Sequence, residues 1–262
     1  MFPGERDSSF PGGAAFGSFK RLSAEGAGHA NLWAEILSEV TVVRNTPIER
    51  VPALADSLGV DLVVMTASEI GRIPLRARNN THADLFGSLL HPILICGSHL
   101  KRMSQWDSRE LRKILVPFVF GPNLPRQLRF ACRFARRHHS RLTLLHVFES
   151  QEAGLQPRDR SISGLEARLP LAELKQEGIL CPMEIATSEG YPERKILSFN
   201  EDKPHDLILM GGPRKRALFN GMGNGVTEAV LARAQCPVLF LGSGIMGMSS
   251  GQTAPNSELN IA

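Results

Sequence analysis

The residues best suited to chemistry lie between 206 and 241, in DLILMGGPRKRALFNGMGNGVTEAVLARAQCPVLFL. An apolar run ends at Gly211 and Gly212; Arg214, Lys215 and Arg216 follow, and Gly223, Asn224 and Gly225 precede a helix-like stretch. Glycine lets a backbone come close to a phosphate because no Cβ intervenes, and a helix N-terminus offers free N–H groups and a positive dipole end. Three cations beside those glycines would add charge of the right sign. The chemistry open to this stretch is binding of a phosphate group. Covalent catalysis has no comparable residue set: GxSxG, HExxH and GxxxxGK[ST] are absent, and the 8 histidines have no acidic partner at a consistent spacing. His146 lies in a strand-like run and reads as a core residue rather than a base. The expectation is a protein that is not an enzyme.

The elements that must position residues 211–225 recur within the chain. TPIERVPALADSLGVDLVVM, with HPILICG after it, aligns without a gap on YPERKILSFNEDKPHDLILM and CPVLFLG. Pro47 maps onto Pro192, Asp61 onto Asp206, Met65 onto Met210 and Pro92 onto Pro237, each at the offset 192 − 47 = 145. A common register over such a length reads as two copies of one structural unit. Each copy has a short helix after the proline, a buried strand (Asp61 to Met65, Asp206 to Met210), a loop, a helix, and a strand after the second proline. Uninterrupted apolar strands alternating with helices indicate an α/β fold with parallel strands covered on both faces.

The second copy has a fuller opening. KILVPFVF at 113–120 reads as a strand, Asn123 as a helix N-cap, and Leu124, Leu128, Ala131, Phe134 and Ala135 as one buried face before the strand RLTLLHVF at 141–148. The first copy has no counterpart of this opening, since 113 − 145 is negative. The expected organisation is a mobile arm at 1–30, a truncated domain at 31–97, a linker at 98–111, a complete domain at 112–242 and a disordered tail at 243–262.

Composition sets the outer limits. With 262 residues, 42% hydrophobic and 21% charged, the chain is globular, and no apolar run is long enough for a membrane span or signal peptide, so a cytoplasmic location is expected. Cys96, Cys132, Cys181 and Cys236 form no CxxC pair and read as buried free thiols, so no metal is expected. The net charge of +4 mildly favours anionic partners. Arg126, Arg129, Arg133, Arg136, Arg137 and Arg141 could make a nucleic-acid face over 126–141, but the outer face of any helix packed on a sheet carries such cations and a solvated helix face is the expectation.

Taken together, KILVP, the arginine-bearing helix, SEGYP, HDLILMG and AQCPVLFL resemble the universal stress protein family in its tandem form. That resemblance implies a doubly wound five-stranded parallel sheet at 112–242, preceded by an incomplete second copy, and a role in stress survival and regulation. Some such proteins bind ATP; they commonly dimerise, often through the last strand, here PVLFL with its counterpart PILIC. In the ATP-binding members a Gly after the DLILM strand is followed by two residues, a second Gly, nine residues, and Gly with Ser or Thr. Gly211 keeps the first place, Arg214 stands at the second, and either Gly223 with Asn224 or Asn224 with Gly225 holds the last. Val119 stands where those members carry an Asp that contacts the nucleoside, whereas Gly190 and Pro192 match the family's loop. In the first copy Thr66 and Glu69 replace both early glycines. The resemblance therefore implies a regulatory protein with a degenerate nucleotide site, no cofactor, and protein partners, including self-association through the last strand of each copy within one chain or in a homodimer. ATP binding through 211–225 is the alternative, and a nucleic-acid accessory role is the alternative of another class.

Overall fold

The computed structural model describes residues 16–19, 40–43, 46, 50–66, 90–96, 111–149, 158–212 and 224–242. The expected tail at 243–262, the linker apart from Leu111, and the arm apart from 16–19 lie outside them. Two short strands, β1 (Phe16–Phe19) and β2 (Val40–Val43), pair antiparallel as a separate ribbon. Then come α1 (Val51–Leu58), β3 (Val63–Thr66), β4 (Ile93–Cys96), β5 (Lys113–Phe118), α2 (Leu124–Arg137), β6 (Arg141–Phe148), α3 (Ile162–Arg168) and α4 (Leu171–Gln176). The chain continues through β7 (Met183–Glu189), α5 (Pro192–Asp202), β8 (Leu207–Gly211), α6 (Asn224–Arg233) and β9 (Val238–Leu241).

The main sheet has seven strands in the order β3-β4-β9-β8-β5-β6-β7. Five of them, β9, β8, β5, β6 and β7, are mutually parallel, which is the doubly wound α/β fold expected for 112–242. The sheet is wider than five strands because β4 runs antiparallel along β9, pairing Ile93 with Phe240, Leu94 with Leu239 and Ile95 with Val238. A bare β9 would present unpaired N–H and C=O groups, and β4 covers them. On the far side of β4 lies β3, parallel to it.

Alternation along each strand divides the core into two. Ile114, Val116 and Phe118 of β5 pack with Leu124, Leu128, Ala131, Cys132 and Ala135 of α2 on one face. Leu115 of β5 goes to the other, with Ile208 and Met210 of β8, Ile93 and Ile95 of β4, Ala55 of α1, Ile196 of α5 and Val230 of α6. Helices on both faces are what an uninterrupted apolar strand requires. Each large side chain buried in this way contributes on the order of 1.5–3 kcal/mol.

The α2 face differs from expectation at one position. Phe134 is only half-buried, while Gln127 and Cys132 turn inward beside Leu124, Leu128, Ala131 and Ala135. The buried stripe follows the i, i+4, i+7, i+11 line through 124, 128, 131 and 135, and Phe134 lies at its margin, stacked on Phe130 with ring centroids 6.0 Å apart. At the amino end of β5, Asp206 Oδ2 accepts from the backbone N–H groups of Arg112 and Lys113, both at 2.9 Å, and fixes the start of β8 beside β5.

Candidate functional site

The chain leaves β5 toward β6 on one side and leaves β8 toward β9 on the other, so the loops after these adjacent strands diverge. In open α/β sheets such a switch point forms the ligand crevice, at the carboxyl ends of the strands. Its walls here are 119–123 after β5 and Gly211 and Gly212 at the end of β8. Strand β5 ends at Phe118, two residues short of the expected strand, so Val119 belongs to the loop, with its apolar side chain 70% exposed. Asn123 does not cap α2 with its side chain. Its amide Nδ2 instead donates to the carbonyl of Gly212 at 3.4 Å, tying the two walls together across the switch point. The Gly212 N–H in turn donates to Leu241 O at 2.8 Å, so the β8 wall is anchored to β9.

The expected site residues are only partly brought together. Val119 and Gly211 end adjacent strands, β5 and β8, while Asn224 and Gly225 open α6, the crossover helix from β8 to β9. Gly190 lies at the same end of the sheet but after β7, two strands beyond β5. It has φ +128, a region that favours glycine, and its N–H donates to Phe148 O at 2.9 Å, closing the β6·β7 ladder. Arg214 and Gly223 lie outside the described residues.

The sequence reasoning missed an aromatic wall next to the crevice. Phe118 and His146 are opposite each other in the β5·β6 register, with ring centroids 5.2 Å apart, and His146 also meets Phe120 at 5.3 Å and Phe148 at 4.6 Å. His146 is 2% exposed and its Nδ1–H donates to Phe118 O at 3.1 Å, in keeping with a core residue. The guanidinium of Arg168 lies 3.7 Å from the Phe120 ring centroid. That of Arg160 lies 5.1 Å from the Phe148 ring and bonds Glu189 at 2.8 Å. The i, i+2 spacing of Phe118 with Phe120 and of His146 with Phe148 was the available signal, since alternate residues share one side of a strand.

On α2, Arg129 bonds Glu177 at 2.7 Å and Glu173 at 3.1 Å, so part of the arginine face is matched by carboxylates on and just beyond α4. Arg133, Arg136 and Arg137 are exposed. Burial holds the pKa of His138, at the end of this helix, below the usual imidazole range, and the charge of Arg137 acts in the same direction. Among the described residues no His, Cys, Asp and Glu side chains gather as a metal site, and no helix is long and apolar enough to cross a membrane.

The sequence profile of the universal stress protein family matches residues 110–241, the span that carries both walls of the crevice. The chain belongs to the universal stress protein family. A universal stress protein from Methanocaldococcus jannaschii is 42% identical over 53 residues, which are 20% of this chain and 31% of that relative's length. A universal stress protein from Archaeoglobus fulgidus of known crystal structure superposes with a TM-score of 0.52 at 18% identity, over 75% of this chain and 65% of that one. That likeness bears on the fold. Another from Archaeoglobus fulgidus, solved in complex with dAMP, gives a TM-score of 0.37 at 18% identity, over 51% of this chain and 99% of its own.

Proposed function

We propose that this universal stress protein is a non-catalytic regulatory protein that acts through protein contacts, with a nucleotide crevice that no longer retains its ligand. The observation that carries this reading is Val119, an apolar side chain 70% exposed at the mouth of the switch point. The family resemblance expects a carboxylate there to accept a hydrogen bond from the nucleoside. An isopropyl group neither donates nor accepts, and a polar group desolvated against it without a partner costs about 1–3 kcal/mol. Beside it, the chain's own guanidinium groups already lie over the flat faces of Phe120 and Phe148.

Contacts with other proteins are supported by what the carboxyl end of the sheet exposes. Tyr191, just after β7, is 68% exposed, at the same end as Val119. Tyrosine is among the residue types that carry most of the binding energy at protein interfaces. The same reading takes α1, β3 and β4 as an incomplete second copy. In support, Val63 pairs with Ile93 as Ile208 pairs with Val238, with 208 − 63 and 238 − 93 both equal to 145. A cytoplasmic location fits the four free cysteines.

Thermal denaturation with and without millimolar ATP tests the proposal. A ligand at about 100 times its Kd stabilises a protein by about 2.7 kcal/mol. The expected result is an unchanged Tm; a rise of several degrees would favour the ATP-binding reading instead. Salt-dependent retention on DNA or RNA that disappears on neutralising Arg129 and Arg133 would favour a nucleic-acid role.

A further inference from the structure

The 145-residue repeat shows what one edge of the sheet lacks. Strands β8 and β3 are held alike by their inner neighbours: Ile208 N–H donates to Pro237 O and Val63 N–H to Pro92 O, both at 3.0 Å, with 208 − 63 = 237 − 92 = 145. On its other side β8 carries β5, parallel to it, with Ile114 beside Leu207 and Leu115 beside Ile208. On its other side β3 is the edge of the sheet, and no strand lies beside it among the described residues. Accordingly β8 starts at Leu207, whereas β3 starts at Val63, one position later in the repeat, because Leu62 has no strand partner equivalent to Ile114.

A carboxylate marks the start of the place that β5 fills. Asp206 Oδ2 accepts from the N–H groups of Arg112 and Lys113, both at 2.9 Å, and Asp206 N–H donates to Lys113 O at 2.9 Å. At the offset of 145 stands Asp61, on a bend as Asp206 is, but exposed and with no such contact among the described residues. The faces differ in the same way: Leu209 of β8 is 0% exposed in the core beside α2, while its counterpart Val64 is 51% exposed. Edge strands ordinarily carry charge that discourages pairing. The opposite edge, β7, does so with Glu184 and Glu189, both exposed, whereas β3 reads VVMT and carries no charge.

We propose that the outer edge of β3 receives an extended segment of a partner protein, laid parallel to it, whose opening residues are basic and are followed by an apolar run. Main-chain pairing supplies the affinity in such strand addition, and side chains supply the selectivity. Asp61 sets both direction and chemistry. Its carboxylate accepts from backbone N–H groups at the amino end of the incoming segment, and its charge favours lysine or arginine there, as Asp206 meets Arg112 and Lys113. The apolar run then covers Val64. A second copy of β3 does not fit, since VVMT follows an aspartate and offers no cation to Asp61. The inference rests on the reading that this protein acts through contacts, and gives them a place apart from Val119 and Tyr191.

The test titrates the full chain into a fluorescent peptide of the protein's own β5 segment, LRKILVPF (111–118), acetylated at its amino end and labelled at its carboxyl end, and follows anisotropy. The place beside β8 is already filled by β5, so the edge of β3 is the one left for the peptide. Saturable binding of one peptide per chain is expected. Asp61→Ala is expected to weaken it about tenfold. Methylating the peptide's backbone nitrogens at Arg112 and Lys113 should do the same, and both changes together should cost little more than either alone, because each removes the same contact. The two peptides can be compared on the wild-type chain even if Asp61→Ala fails to fold. No saturable binding, or binding that neither change weakens, would overturn the proposal. A dimer of the chain alone that Val64→Lys dissolves would assign the edge to a second copy and overturn it as well. None of these results alters the ATP melt that tests the crevice, so the two readings fail separately.

Discussion

A side chain added at residue 164 would meet the protein's own backbone. An ideal Cβ on Gly164 would lie 2.2 Å from Arg158 O, whereas at Gly190 it would lie 3.1 Å from the flexible Lys195 Cε but on a backbone at φ +128. Gly164→Ala must therefore move the turn before α3 and is expected to cost about 1–3 kcal/mol. Gly190→Ala is expected to cost about 1–2 kcal/mol through its backbone conformation. Gly121→Ala, with open space at its Cβ, should stay within about 0.5 kcal/mol, and urea denaturation of the three variants checks the order. A second residue-scale prediction concerns His205, 7% exposed. Its Nδ1–H donates to Asn200 Oδ1 at 3.2 Å, and its Nε2 lies 3.0 Å from Thr143 Oγ1, which also lies 3.0 Å from Glu184 Oε1. With His205 neutral, the single hydroxyl proton of Thr143 faces two acceptors. Glu184→Gln supplies an amide donor to Thr143, frees that proton for His205, and is expected to raise stability at pH 7–8 by about 0.5–1 kcal/mol. Burial lowers the folded-state pKa of His205 below 6.5, so the unfolded chain binds protons first as the pH falls. The contribution of His205 is thus complete above pH 6.5 and is lost as acid carries the pH down through the folded-state pKa. His138 acts in the same direction. Melting temperature followed from pH 8 to 5 should fall, and His205→Asn should flatten that fall in part while lowering stability at pH 7.

At the scale of elements, Arg129 ties α2 to Glu173 of α4 and to Glu177 just beyond it. These are partly exposed ion pairs, so Arg129→Ala is expected to lower stability by no more than about 1 kcal/mol, a loss that high salt reduces; urea denaturation at low and high ionic strength measures both. The elements legible in the sequence were those with strong local patterns. RLTLLHVF became β6 over all eight residues, and the helix after Asn123 became α2, because an uninterrupted apolar run and an i, i+4 stripe each have one dominant solution. Strand β7 was harder to see because none of its residues is fully buried and Glu184, Thr187 and Glu189 are exposed, as suits an edge strand, and α3 and α4 are only 7 and 6 residues long. At the site, Gly190 and Gly211 were legible as glycines. What Asn123 does was not, because its partner Gly212 is 89 residues away and only the closed sheet brings them together.

On the scale of the whole molecule, the sheet is continuous because the β4·β9 pairing has the form of a two-fold. Ile93 meets Phe240 and Ile95 meets Val238, while the 145-residue offset relates Ile93 to Val238 and Ile95 to Phe240 (238 − 93 = 240 − 95 = 145). Leu94 and Leu239, related by the same offset, face each other at the centre. Each strand therefore meets the other as it would meet a copy of itself, so β9 is built to accept an antiparallel β9 in the same register, Val238 against Phe240. Within the full chain β4 takes that place, with Ile93 and Ile95 at 0% and 1% exposure in the core. A chain limited to residues 110–242 loses β4 and uncovers both the β9 edge and the apolar surface beside it. It is expected to associate as a two-fold dimer, with a mass by light scattering that doubles as concentration rises. If the shortened chain is instead monomeric at all concentrations, β4 supplies coverage but not the symmetry-specified register, and the equivalence of the two strands ends at their hydrogen bonds.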